Sequence, residues 1–180
     1  PKVGIALIGP GGEMGLRAAG VQNLDKDGAA SRICARGGLG AVMGSKRVKA
    51  IVIDASWGET PPLADATMFK AGRKHYTQKL QAHSQTAMYA EYGTASMTAM
   101  CNGFGALPTR NFSAGQFEHA EQISGEAMRD LLLQRGGESD TSHACMAGCV
   151  IRCSNCFGSP GGESVVSPLE YETIGLVGSN

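Results

Sequence analysis

Apolar and polar positions follow two different rhythms along this chain. Through residue 54 the apolar residues come in short runs, at positions 3–8, 16–24 and 49–54. Runs of this length, bounded by glycine, proline or aspartate, are strand signals. The first is closed by Gly9-Pro10-Gly11-Gly12 and the second by Asp25-Lys26-Asp27-Gly28, both turn compositions. The third, Lys49-Ala-Ile-Val-Ile-Asp54, reads as a buried strand. From residue 63 the apolar spacing lengthens toward the helical period of about 3.6. Leu63, Ala66, Phe69, Ala71 and Leu80 fall among lysines and an arginine, so positions 63–83 are expected to form an amphipathic helix. Residues 86–92 continue helically, Gly93 breaks the pattern, and 94–101 follow as another helix with Thr94 as its N-cap. A rigid loop is expected over 103–111. Ser124 opens a helix that Gly136 and Gly137 stop, and after a turn over 158–163 the segment 165–174 leads into a final helix. The class is α+β: short strands and glycine-rich turns over 1–55, a linker over 56–62 with Trp57 and two prolines, and a mainly helical region over 63–180.

Composition narrows the function classes. A chain of 180 residues can bury one good core or two small ones. Lysine plus arginine and aspartate plus glutamate balance at 16 each, which gives no electrostatic argument for nucleic acid or an anionic membrane. No apolar run approaches the roughly 20 residues of a membrane span. The first residues have too short an apolar core for a signal peptide, and clustered cysteines without such a signal point to a reducing, cytoplasmic compartment and to metal. There is no initiator methionine, so a fragment or a processed product is expected. Glycine is the outlier, 26 residues against a usual share of about 7%, so backbone is expected to pass close to something. His75, His83 and His119 are scattered and take no role.

Three stretches carry candidate chemistry. In His143-Ala-Cys-Met-Ala-Gly-Cys-Val-Ile-Arg-Cys-Ser-Asn-Cys156, Cys145, Cys149 and Cys153 stand at i, i+4 and i+8. On a helix they would line nearly one face. Three converging thiolates suit an iron–sulfur cluster or a zinc ion better than a disulfide framework, while the plain alternative is a run of small buried hydrophobes. The second stretch, residues 31–46, has Arg32 and Arg36 flanking a glycine-rich segment that opens a short helix. Arginine forks and helix N-termini both bind phosphate, but the spacing of a P-loop is absent, and a structural turn explains the glycines equally well. Gly9 to Glu13 could likewise approach a phosphate. The third is Glu170-Tyr171-Glu172. Two acids at i, i+2 point different ways on a helix and do not form a dyad. One of them, beside Tyr171, could exchange protons with a buried redox site; the alternative is a partner for the helix dipole.

Taken together, these blocks resemble the tungsten-containing aldehyde ferredoxin oxidoreductase family. The resemblance rests on Arg36-Gly-Gly-Leu-Gly-Ala-Val-Met-Gly-Ser-Lys46 with Val48-Lys-Ala-Ile51, on Ile8-Gly-Pro-Gly-Gly-Glu13, on Gly105-Ala-Leu-Pro-Thr-Arg-Asn-Phe112, on the cysteine cluster and on Glu170-Tyr-Glu-Thr173, in the family's order. It implies a tungsten or molybdenum ion held by two pyranopterins, with a nearby 4Fe-4S cluster passing electrons to ferredoxin or a similar protein. Arg32 and Arg36 match arginines on the pterin phosphates. Ile33 matches the position whose carbonyl reaches a magnesium ion bridging those phosphates, and Ala35 matches a pterin-contacting glycine. Cys145, Cys149 and Cys153 match three cluster ligands, and Glu172, preceded by Tyr171, matches the carboxylate beside the metal. Arg152 is placed to bridge cluster and pterin. Residues 1–55 would then be the C-terminal part of the pterin-binding β domain, and 63–180 the start of the helical domain.

The implied reaction is oxidation of a small aldehyde to a carboxylic acid, with a homo-oligomer allowed. The alternatives are reduction of an aromatic thioester by the same cofactor, and an iron–sulfur or zinc module for electron transfer or structure. Two departures stand out. The commonest family spacing is Cys-x-x-Cys-x-x-x-Cys, whereas three residues separate Cys145 from Cys149, as in a less characterised bacterial branch. The fourth cluster ligand and further pterin motifs are expected beyond Asn180, so this piece by itself is expected to be inactive, with Cys156 a packed or free thiol.

Overall fold

The computed structural model describes residues 3–180. The chain divides after Ala64 into two compact units.

The first unit is a four-stranded antiparallel sheet with two short helices. Strands β1 (Val3–Leu7), β2 (Val21–Asn23), β3 (Arg32–Cys34) and β4 (Ala50–Asp54) lie in the order β3-β2-β1-β4. The β1–β4 register runs from Val3 opposite Asp54 to Leu7 opposite Ala50. The run over 16–24 is a strand only at its end. The turn expected after β1 is helix α1 (Pro10–Glu13), with proline at its first position, where a missing N–H costs nothing. Helix α2 (Leu39–Ser45) follows the second glycine block.

These glycines let two backbones touch. A Cβ on Gly44 would run into the carbonyl of Gly12, and one on Gly12 would lie 2.8 Å from Ile8 Cβ and 2.9 Å from the carbonyl of Gly40. The close approach expected from the glycine content is therefore met inside the protein, by α1 against α2. Strand β4 corrects the expectation of a buried strand. Ile51, Val52 and Ile53 are 51%, 62% and 63% exposed, because β4 is an edge strand with only β1 beside it among the described residues.

The second unit begins with α3 (Ala66–Gln81), whose N-cap Asp65 accepts from the Met68 N–H at 2.8 Å. Helix α4 (Ser84–Tyr92) ends at Gly93, with φ 63°. A 3-10 turn over Gly93–Ser96 leads into α5 (Met97–Gly103). Thr94 therefore caps no helix; its hydroxyl has another partner, described below. Helix α6 (Gly125–Arg135) is capped by Ser124, which accepts from the Ala127 N–H at 3.1 Å, and stops at Gly136 with φ 60°. A sheet absent from the sequence reading follows: β5 (Asp140–His143), β6 (Ser154–Gly158) and β7 (Ser164–Val166), antiparallel in that order. Helix α7 (Tyr171–Thr173) continues as a π-helical turn over Ile174–Gly178. Ala95, Met128, Leu132 and Ile174 form the buried core of this unit, with Ile123, Phe157 and Leu169 packed against it. The α+β class holds.

Candidate functional site

Cys145, Cys149 and Cys153 are not on a helix. They occupy the connection between β5 and β6, whose ends are held together by strand pairing of His143 with Ser154. A helix would carry the chain away in one direction, whereas this segment must return to the neighbouring strand. It turns at Gly148, with φ 79°, and at Arg152, with φ 54°. The Cys149 N–H donates to the Met146 carbonyl at 3.2 Å, and Arg152 Nε donates to the Ser142 carbonyl at 2.7 Å. Arg152 thus ties the loop to the strand before it through Nε.

All six cysteines are free thiols, and the three on this loop are half-buried. They are close enough to influence one another. Burial first, and then the negative charges of Glu170, Cys145 and Cys149, push the Cys153 thiol above its ordinary range. A bound cation acts in the opposite direction. Three free thiols on one loop fit an iron–sulfur group by donor chemistry. Cys156 stands apart on β6, its thiol donating to Ser167 Oγ at 3.4 Å.

Glu170 and Glu172 part company here. Glu170, just before α7, is the carboxylate whose charge reaches Cys153. Glu172 is exposed on the first turn of α7. Tyr171 between them is half-buried. Burial, a hydrogen bond shared with the Cys101 side chain, and the charges of Cys101 and Glu172 push its hydroxyl up to about 12. Tyr171 is therefore a neutral phenol at any working pH.

The sequence reading missed the groups that hold this segment. The Tyr171 N–H donates to Thr94 Oγ1 at 3.0 Å. Asn155 binds Leu169 twice, through Nδ2 to the carbonyl at 2.6 Å and through Oδ1 from the N–H at 2.9 Å. The only sequence signal was a polar Asn beside the last cysteines, and nothing local distinguished it from a surface residue. Gly93 lies against the same strand: a Cβ there would come within 2.9 Å of the Cys153 carbonyl.

The candidate phosphate-binding residues belong to the first unit. Arg32 and Ile33 are on β3, and Ala35 and Arg36 follow it as exposed backbone. The short helix expected from the glycine-rich segment is α2, which starts at Leu39 after Gly37 and Gly38, both left-handed with φ 89° and 66°. Ile33 and Ala35 are exposed, and Ile33 pairs with Gln22 of β2. The preceding loop is pinned by Asp25, which accepts from the N–H groups of Asp27 at 2.8 Å and Ala29 at 3.0 Å and from Ser31 Oγ at 3.2 Å. Burial alone would raise the Asp25 carboxyl. Those hydrogen bonds and the Arg32 charge outweigh it and hold the group below its ordinary range. An arginine on an exposed loop fits phosphate by donor chemistry.

Two family profiles match the chain. One, described as the N-terminal domain of aldehyde ferredoxin oxidoreductase, covers residues 1–55; the other, described as its domains 2 and 3, covers residues 71–180. A tungsten-containing aldehyde ferredoxin oxidoreductase from Thermococcus kodakarensis is 38% identical over 180 residues, covering 99% of this chain and 27% of the relative. The protein of the same description from Pyrococcus furiosus is 36% identical over the same shares. The chain thus spans about a quarter of the length of these relatives.

Proposed function

The chain belongs to the aldehyde ferredoxin oxidoreductase family, and from that premise we propose that it is part of an oxidoreductase that converts aldehydes to carboxylic acids at a tungstopterin. When bound, the pterin-held metal supplies a two-electron redox centre, and a 4Fe-4S cluster supplies a one-electron exit toward ferredoxin. This chain's own residues divide the remaining tasks. Cys145, Cys149 and Cys153 hold the cluster as thiolates. Arg32 and Arg36 would hold the pterin phosphates, the backbone of Ile33 would serve a magnesium ion, and that of Ala35 would contact the pterin. Glu172 accepts or returns the proton that accompanies oxidation, and Tyr171, neutral throughout, packs beside it.

The observation that carries this reading is the trio of free, half-buried thiols on one strand connection, within electrostatic reach of the segment that bears the candidate acid. Metal analysis of the full-length protein tests it. Iron together with tungsten or molybdenum is expected. Zinc in place of iron, with neither of the other metals, defeats the reading and favours a structural zinc module.

A further inference from the structure

The segment bearing Glu170, Tyr171 and Glu172 is not held by regular secondary structure on its N-terminal side. Strand β7 has ended at Val166, and α7 has not begun. Asn155 takes over where the ladder stops. Its side chain is 1% exposed, yet both ends of its amide are used, Nδ2 toward the Leu169 carbonyl and Oδ1 from the Leu169 N–H. This is the bonding a strand neighbour would have offered, made by a side chain. The Asn155 carbonyl in turn accepts from Ser167 Oγ at 2.9 Å. On the other side of Glu170, the Tyr171 N–H donates to Thr94 Oγ1. Thr94 follows Gly93, where an added Cβ would come within 2.9 Å of the Cys153 carbonyl. All three bonds lead back to one short stretch, residues 153–155: the two at Leu169 directly through Asn155, and the one at Tyr171 through the 93–94 turn. A buried amide bonded at both ends is costly to place and rigid once placed, which suits a device that sets a distance.

We propose that Asn155 and Thr94 are positioning residues that lock the acid-bearing segment to the strand emerging from the cysteine loop. This rests on the reading of Cys153 as a cluster ligand and Glu172 as the proton-handling acid. Through these ties, a shift of the loop and a shift of the acid become one motion, and the acid is held in its working geometry.

The test uses the full-length holoenzyme with Asn155→Leu, Thr94→Val and the conservative Thr94→Ser. Asn155→Leu and Thr94→Val are each expected to lower kcat for aldehyde oxidation by roughly 10- to 100-fold, with KM changed less than about threefold. Iron and tungsten contents should stay at wild-type levels. Amide hydrogen exchange should quicken at Leu169 in the first variant and at Tyr171 in the second. Thr94→Ser, which keeps the acceptor, should restore kcat to within about threefold of wild type. The proposal is overturned if kcat is unchanged in both disruptive variants, or falls only in proportion to lost metal. It is equally overturned if Thr94→Ser behaves like Thr94→Val, or if exchange at Leu169 and Tyr171 does not change. Should Asn155→Leu fail to fold, the threonine pair decides by the same criteria. Failure of the proposed function shows instead in the wild-type protein, as missing iron and tungsten, and overturns both.

Discussion

The two units present their candidate site residues in opposite ways. In the first, Ile33, Ala35 and Arg36 stand exposed on an edge strand and the loop after it, over a scaffold whose tightest contacts are glycine backbone against glycine backbone. In the second, the cysteines are half-buried on a loop, and the neighbouring acid-bearing segment is tied by a buried amide over a core of Met128, Leu132 and Ile174. The difference matches the proposed partners. A phosphate is recognised by fully extended, solvated arginine forks, whereas thiolates that hold a redox group gain from partial exclusion of water. A sheet held by backbone contact is stiff but tolerates no added volume; a side-chain core tolerates change in proportion to the cavity created.

The contrast can be broken at five places. The largest effect is expected from Glu172→Gln, which keeps shape but not charge. In the full-length enzyme, turnover should fall about 10²- to 10⁴-fold with cofactor content unchanged; retained turnover would return Glu172 to the role of a helix-dipole partner. Next is Leu132→Ala, where a fully buried side chain is lost. A cost of about 2–5 kcal/mol is expected, read as faster hydrogen exchange within residues 65–180. Exchange that rises equally in β1 to β4 would show that the two units do not open separately.

Arg36→Ala should weaken pterin binding by roughly 10- to 100-fold, the loss of a charge-assisted pair of hydrogen bonds, while iron content stays intact. Unchanged pterin content would remove Arg36 from phosphate binding. Gly44→Ala places a methyl group on the Gly12 carbonyl and should cost about 1–3 kcal/mol, confined to α1, α2 and the strands beside them. Stability unchanged by this substitution would show that the helices can separate freely. The smallest effect is expected at Asp25. Its carboxyl is held below the ordinary range, so its contribution is fully present above about pH 4 and is lost as pH falls through the lowered value. Asp25→Asn should therefore cost about 1 kcal/mol near neutrality and flatten the acid limb of a stability–pH curve; an unaltered acid limb would assign that limb to other carboxylates.

Much of this was legible along the chain. The strand at 3–7, the helix at 66–81, the cap at Ser124 and the stops at Gly93 and Gly136 follow from local pattern and from glycine's access to positive φ, because each is decided within a few residues. The three short strands β5, β6 and β7 were not legible. Their sequences carry little apolar alternation, and they exist because they pair with one another. The cysteine spacing shows the same limit. Positions i, i+4 and i+8 announce a common ligand equally well on a helix or a loop, and only the closure of β5 on β6 selects the loop.

What the sequence determined by itself is therefore the chemistry and the punctuation: the thiols, the arginines, the acids, and the glycines that end helices. These depend on residue type and near neighbours. Only the tertiary structure decided that the glycines of the first unit serve helix contact, that β4 lies at an edge, and that Asn155 and Thr94 hold the acid-bearing segment. Each of those depends on a partner more than ten residues away, and no local propensity specifies which partner the chain will meet.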